Sequence, residues 1–187
     1  MALLWRLLLA HFLTDFTFQS EWFFRQKNKY LSRIFHGAFA GLLSLLIVLP
    51  YMEVKGRVNI PLLLLVIAIG VSHILIDVFK LYLSLQKDRE TFSLFIADQT
   101  LHLLIIYLGV SLLPPQMYQE SAIEFKLLTF IVFTLWATPI IVRIIESEFK
   151  KKRLPVYEYY KEDLRGLSLW ERGCLFLGVG LMGYYLI

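Results

Sequence analysis

The chain has 187 residues, of which 58% are hydrophobic, 16% aromatic and only 18% charged, a balance too apolar for a soluble domain of this length and typical of one embedded in a bilayer. The formal charge of +4 does not signal nucleic acid, because the basic residues are parcelled into segments beside helix ends, where they act as topology signals. The single cysteine, Cys174, excludes an intrachain disulfide and a thiolate metal cage, so any metal must use nitrogen and oxygen ligands.

Stretches apolar and long enough to cross ~30 Å of hydrocarbon run over 2–19, 33–51, 60–84, 92–113, 125–146 and 168–187. They predict an all-α, polytopic membrane protein, a bundle of six transmembrane helices. The first stretch is read as a retained helix: no small-x-small cleavage site follows it, and it carries His11 and Asp15 where an export signal is purely apolar. Residues 1–113 form a four-helix membrane core, and 114–187 add two transmembrane helices joined by a basic connector over 147–167.

The segment after the first helix holds Arg25, Lys27, Lys29 and Arg33, that after the third Lys87 and Arg89, and that after the fifth Lys150, Lys151, Lys152, Arg153, Lys161 and Arg165. The alternate segments carry only Lys55, Arg57 and Lys126. By the positive-inside rule the richer set faces the cytoplasm and both termini face outward, in a multi-pass protein of the bacterial inner membrane.

Helix depth counted at 1.5 Å per residue then puts His11 and Asp15 in the second half of the first helix and His36 in the first turns of the second. His73 and Asp77 fall in the last third of the third helix, and Asp98 and His102 in the first half of the fourth. All seven are predicted at one depth on the cytoplasmic side, and they include every histidine of the protein. Three pairs share an i, i+4 spacing, H-F-L-T-D at 11–15, H-I-L-I-D at 73–77 and the reversed D-Q-T-L-H at 98–102. That spacing sets both side chains on one helix face, where they can share an ion or where the Asp can orient its own imidazole. The first and third helices share H-x-L-x-D, which raises the idea of a duplicated two-helix unit.

Intramembrane ionisable groups are costly and usually functional. A histidine-rich, carboxylate-containing, thiol-free set suits zinc, or manganese or iron, and contains enough ligands for two ions. Such an ion lowers the pKa of a bound water toward ~7 and makes hydrolysis the natural chemistry. Two bland alternatives compete: the residues lace helices together at ~0.6–2 kcal/mol per link, or they relay protons or ions in a carrier. Lys80, one turn beyond Asp77, with Arg143 and Arg172, reaches the same zone as an anion clamp. Gln19 extends the first face. The segment S-E-W-F-F-R-Q-K-N-K-Y reads as lying in the headgroup layer, Trp136 and Pro139 suggest a kink in the fifth helix, and the K-K-K-R run at 150–153 suggests attraction to anionic lipid.

In H-F-L-T-D-F-T-F-Q with the following Trp and Lys, then H-G-A-F-A, H-I-L-I-D-V-F-K and D-Q-T-L-H, the chain resembles a bacterial membrane family known as domain of unknown function 3307, over roughly residues 8–110. The late G-L-S-L-W-E-R-G also looks like a stretch of longer members, which brings Glu171 and Arg172 toward the site. The resemblance groups His11, Asp15, Gln19, Lys27, His36, His73, Asp77, Lys80, Asp98, Gln99 and His102, and implies no substrate. A looser likeness, in His/Asp-bearing helices alone, is to membrane-embedded zinc hydrolases such as ceramidases.

The expectation is therefore a metal-dependent intramembrane hydrolase, taking a lipid or lipid-like amide, ester or phosphoester from the cytoplasmic leaflet. His11, His36, His73 and His102 would ligate the metal. Asp15, Asp77 and Asp98 would complete the set, orient the imidazoles or act as general base. Lys80, Gln19, Gln99 and Arg172 would hold the substrate. The rival readings are a proton- or metal-ion-coupled transporter and a structural or assembly subunit.

Overall fold

Asn59 begins a helix because its side chain accepts from the Leu62 N–H (3.3 Å), its carbonyl accepts from the Leu63 N–H (3.0 Å), and Pro61 follows where no helical donor is needed. Local signals of this kind set the elements of a computed structural model that describes residues 2–18, 29–54, 56–87, 92–114 and 123–149. Helix α1 covers Ala2–Phe12 and continues through a π-helical turn, Leu13–Thr17. Helix α2 covers Lys29–Val48 and ends in a 3-10 turn, Leu49–Tyr51. A two-residue hairpin, β1 (Glu53–Val54) and β2 (Arg57–Val58), turns at Gly56, whose φ of 73° suits a residue without Cβ. Helix α3 follows over Ile60–Lys87, α4 over Phe92–Ser111, and α5 over Ile123–Val132. A second π turn, Phe133–Ala137, leads into α6, Thr138–Phe149.

The described residues are all-α apart from the hairpin, and among them four helical runs are long and apolar enough to cross a membrane: Tyr30–Tyr51, Ile60–Leu85, Phe92–Ser111 and Ile123–Val142. Their outward faces are greasy, with Leu64, Leu75, Phe79 and Tyr107 each more than half exposed, while the ionisable residues turn inward. That is the reverse of a water-soluble surface and fits surrounding hydrocarbon. Helix α1 with its π turn packs inside the bundle, with Leu3, Leu7 and Ala10 sealed against α2, α4 and α5. The expected sixth helix at 168–187, the basic connector and the headgroup-layer segment at 20–28 lie outside the described residues.

Two apolar clusters bracket the bundle. At the hairpin end, Leu3, Leu7, Val48, Leu62, Leu65 and Val66 close the space between α1, α2 and α3, together with Ile106 and Val110 of α4. Toward the opposite end, Phe16, Phe95, Ala137, Ile140 and Ile144 pack α1's π turn against α4 and α6. The polar residues lie between them.

Helices α2 and α3 touch backbone to backbone. A Cβ on Gly41 would stand 3.3 Å from Gly70 Cα, and one on Gly37 would stand 2.8 Å from the Ile74 nitrogen, so small residues there set the interhelical distance. Where Pro139 predicts a kink, the run carries the π turn just before it. Proline offers no N–H to the preceding turn, and the Phe133 carbonyl that closes the π turn accepts from both the Thr138 N–H and the Thr138 hydroxyl (3.3 Å).

Candidate metal centre

His36 on α2 and His73 on α3 flank the glycine contact, and their rings come to 5.0 Å between centroids. His102 of α4 stacks on His73 at 4.0 Å with an interplanar angle of 26°, and His11 of α1 approaches His102 at 5.1 Å and His73 at 5.7 Å. All four histidines, with Asp15, Asp77 and Asp98, are only 2–5% exposed. The seven residues the sequence placed at one depth thus stand together in one layer.

Asp15 is the hub. Its Oδ1 accepts from His36 Nε2 (3.3 Å) and lies 3.2 Å from His73 Nε2, and its Oδ2 accepts from Gln99 Nε2 (3.0 Å). It sits in the π turn, which closes when the Phe18 N–H donates to the Leu13 carbonyl (2.9 Å). The Thr14 hydroxyl also donates back to Ala10's carbonyl (2.9 Å), a bond that bends helices. An extra residue per turn moves Asp15 around the axis relative to a regular i, i+4 neighbour, so its distance to His11 Nδ1 is 3.8 Å while it reaches across to α2 and α3. Sequence reasoning treated the H-x3-D of the first and third helices as equivalent. The structure makes one π-helical and the other α-helical.

At the other side of the layer, Asp98 Oδ1 lies 3.4 Å from His102 Nε2, and Asp77 Oδ1 lies 3.8 Å from the same nitrogen. Lys80 donates to Asp98 Oδ2 at 3.0 Å, and Arg33 stands 3.8 Å from Asp77 Oδ2. The side chains of Lys80 and Arg33, 14% and 16% exposed, are the more accessible members of the layer. Lys80 and Gln99, expected beside a substrate, spend their donors on the cluster's own carboxylates. Arg33 was read as a topology signal, although its position three residues before His36 put it on the same helix face. Gln19, Lys27, Glu171 and Arg172 lie outside the described residues, as does the Arg143 side chain.

Of the six buried side-chain atoms without a hydrogen-bond partner among the described residues, four belong to the layer, His73 Nε2, His102 Nε2, Asp77 Oδ2 and Asp98 Oδ1, and the other two are Arg6 Nε and Thr17 Oγ1. The four in the layer approach neighbours at 3.2–3.9 Å, too long or too poorly aligned for a hydrogen bond. A cluster serving only to join helices would satisfy its own polar atoms, since an orphan costs about 1–3 kcal/mol. Three overlapping sets each bring one ligand atom per residue to within 4.8 Å: His11, His73 and His102; Asp15, His36 and His73; and Asp77, Asp98 and His102. Imidazole and carboxylate without thiolate match a divalent ion of borderline or hard character. Among the described residues three carboxylates face two cations, Lys80 and Arg33, so the layer is rich in ligands of the kind a divalent ion takes. The residues present fit a divalent metal.

Beside the layer, toward the hairpin end, His11, His73 and His102 floor a small cavity walled by Ala40, Ser44, Ile69, Ser72, Ile105 and Ile106, with room for about one water. The serines were absent from the sequence reading, because nothing in their spacing distinguishes them from ordinary helix-packing hydroxyls.

Residues 3–132 match the family described as "Protein of unknown function (DUF3307)". The chain belongs to this family. The match runs from α1 through α5 and so takes in the whole His/Asp layer. No curated protein and no solved structure matches the chain.

Proposed function

We propose that this family member is a metal-dependent membrane hydrolase that cleaves a lipid or lipid-like amide, ester or phosphoester. The observation that carries the reading is the set of buried, hydrogen-bond-free ring nitrogens and carboxylate oxygens in a thiol-free layer. His11, His73 and His102 would hold the ion, with His36 as a fourth nitrogen, and zinc is the first choice ahead of manganese or iron. When bound, the metal supplies Lewis acidity and a water acidic enough to attack at neutral pH.

The protein's own groups do the remainder. Asp15 orients His36 and His73, and Asp77, whose Oδ2 makes no hydrogen bond, takes the proton from the attacking water. Lys80 and Arg33 neutralise Asp98 and Asp77 at rest and turn to the anionic part of the substrate when it enters. In this reading six helices cross the bacterial inner membrane with both termini outside. The charged loops, the Lys80 side of the layer and Arg172 then face the cytoplasm, and substrate arrives from the cytoplasmic leaflet.

A second reading, passage of protons or metal ions through the same groups, draws support from the cavity: space for about one water beside the histidines suits an ion better than an acyl chain.

The test is metal content by mass spectrometry on protein purified without a polyhistidine tag, beside His11→Ala, His73→Ala and His102→Ala. Near-stoichiometric zinc, manganese or iron, lost in the variants, is expected. Product formation from fluorogenic lipid esters, amides or phosphoesters in detergent supports the hydrolase, whereas gradient-driven flux in proteoliposomes without product selects the transporter. A folded protein that takes up no metal on titration overturns the metal reading.

A further inference from the structure

We infer that Gln99 fixes the tautomer of His11 and thereby decides which ring nitrogen that histidine offers to the ion. Gln99 follows Asp98 on α4 and reaches across to α1. A carboxamide has one donor end and one acceptor end. Its nitrogen donates to Asp15 Oδ2 at 3.0 Å and to Asp98 Oδ2 at 3.2 Å. Carboxylates only accept, so turning the amide over would set its oxygen against two of them. Two carboxylates on different helices thus lock the amide, and Oε1 is left 3.2 Å from His11 Nε2.

An amide oxygen in that position can only accept, so His11 Nε2 carries the hydrogen. In a neutral ring the lone pair is then on Nδ1. Nδ1 is the nitrogen 3.8 Å from Asp15 Oδ2, and the other oxygen of Asp15 lies 3.2 Å from His73 Nε2. The lone pair of His11 therefore opens toward the carboxylate that His73 faces. His73 and His102 present Nε2, which makes no hydrogen bond in either, so the histidine set is mixed: Nδ1 from α1, Nε2 from α3 and α4. Gln99 is a positioning residue that acts through His11. Its effect on metal binding rests on the metal-centre reading proposed above, whereas the tautomer itself does not.

Four histidines make the chain tractable by nitrogen NMR with 15N-labelled histidine, each ring assigned by single substitution. In the metal-free wild type the His11 signals are expected to report a hydrogen on Nε2 and a bare Nδ1. Gln99→Met, which keeps length but removes both amide ends, is expected to convert this to a mixture of tautomers and to weaken zinc binding on titration about 10–100-fold, the usual effect of losing a partner that orients a ligand. A wild-type His11 with its hydrogen on Nδ1, or a tautomer unmoved by Gln99→Met, overturns the inference; the wild-type spectrum alone decides if the variant does not fold. The expected tautomer in a protein that binds no zinc upholds the Gln99 lock and sinks the metal reading separately.

Discussion

The hairpin end of the bundle and the His/Asp layer both set polar residues against apolar neighbours, yet hold them by different physics. At the hairpin end, Arg6 is packed among apolar side chains, but its Nη1 donates to the Ile47 carbonyl in the last turn of α2 (3.2 Å), and its guanidinium lies 3.9 Å from the Phe125 ring centroid and 5.0 Å from that of Tyr51. A cation at a helix C-terminus and over aromatic rings is compensated in charge where it stands, although the Arg6 Nε makes no hydrogen bond. Asn59 likewise spends its side chain on the Leu62 N–H and the Tyr51 carbonyl. In the layer, seven ionisable residues meet and four of their atoms stay unmatched. Burial is common to both regions. What separates the two is the kind of atom left unmatched: imidazole nitrogens and carboxylate oxygens that can ligate a metal in the layer, against a guanidinium Nε that is a donor only.

The sharpest way to break this contrast is Asp15→Ala. It removes the hub that His36, His73 and Gln99 share, and is expected to abolish metal uptake and to destabilise the fold by about 3–5 kcal/mol, the range for breaking a buried ionic network. Mass spectrometry and thermal unfolding in detergent read the two effects, and an unaltered metal content would remove Asp15 from the site. Next, Gly41→Val and Gly37→Val are expected to cost about 1–3 kcal/mol through overpacking of α2 on α3 and to weaken metal binding by moving His36 away from His73. If metal affinity holds while stability falls, the helix contact does not position the layer.

Arg6→Met isolates the opposite region. It is expected to lose about 2 kcal/mol, from one charge-assisted hydrogen bond and the ring contacts, with metal content unchanged. A metal-depleted but folded Arg6→Met protein would join the two regions into one unit and end the comparison.

The smallest structural effect is expected for His73→Gln in the metal-free protein. His73 Nε2 makes no hydrogen bond, so the apo fold should change by less than about 1 kcal/mol, while the stabilisation that added zinc gives the wild type disappears. A large loss of apo stability would show that this histidine is helix glue after all.

The sequence by itself determined the membrane class, the runs of the described helices to within a few residues, and the convergence of seven ionisable residues, because hydrocarbon thickness and helical rise are fixed lengths and a charged residue in an apolar run carries its depth with it. It also carried the family, in the ordered His/Asp motifs. Rotation about each helix axis and contact between helices were decided only in the tertiary structure. The π turn that swings Asp15 toward α2 and α3 has no signature in H-F-L-T-D, since the same spacing in H-I-L-I-D stays α-helical. Gln99's place between two carboxylates and His11 depends on α1 and α4 lying side by side, a relation across 84 and 88 residues of chain. Arg33 changed from a topology signal to a partner of Asp77 only when Gly37, Gly41 and Gly70 let α2 and α3 touch. Local spacing fixes which residues share a face, and packing decides what that face meets.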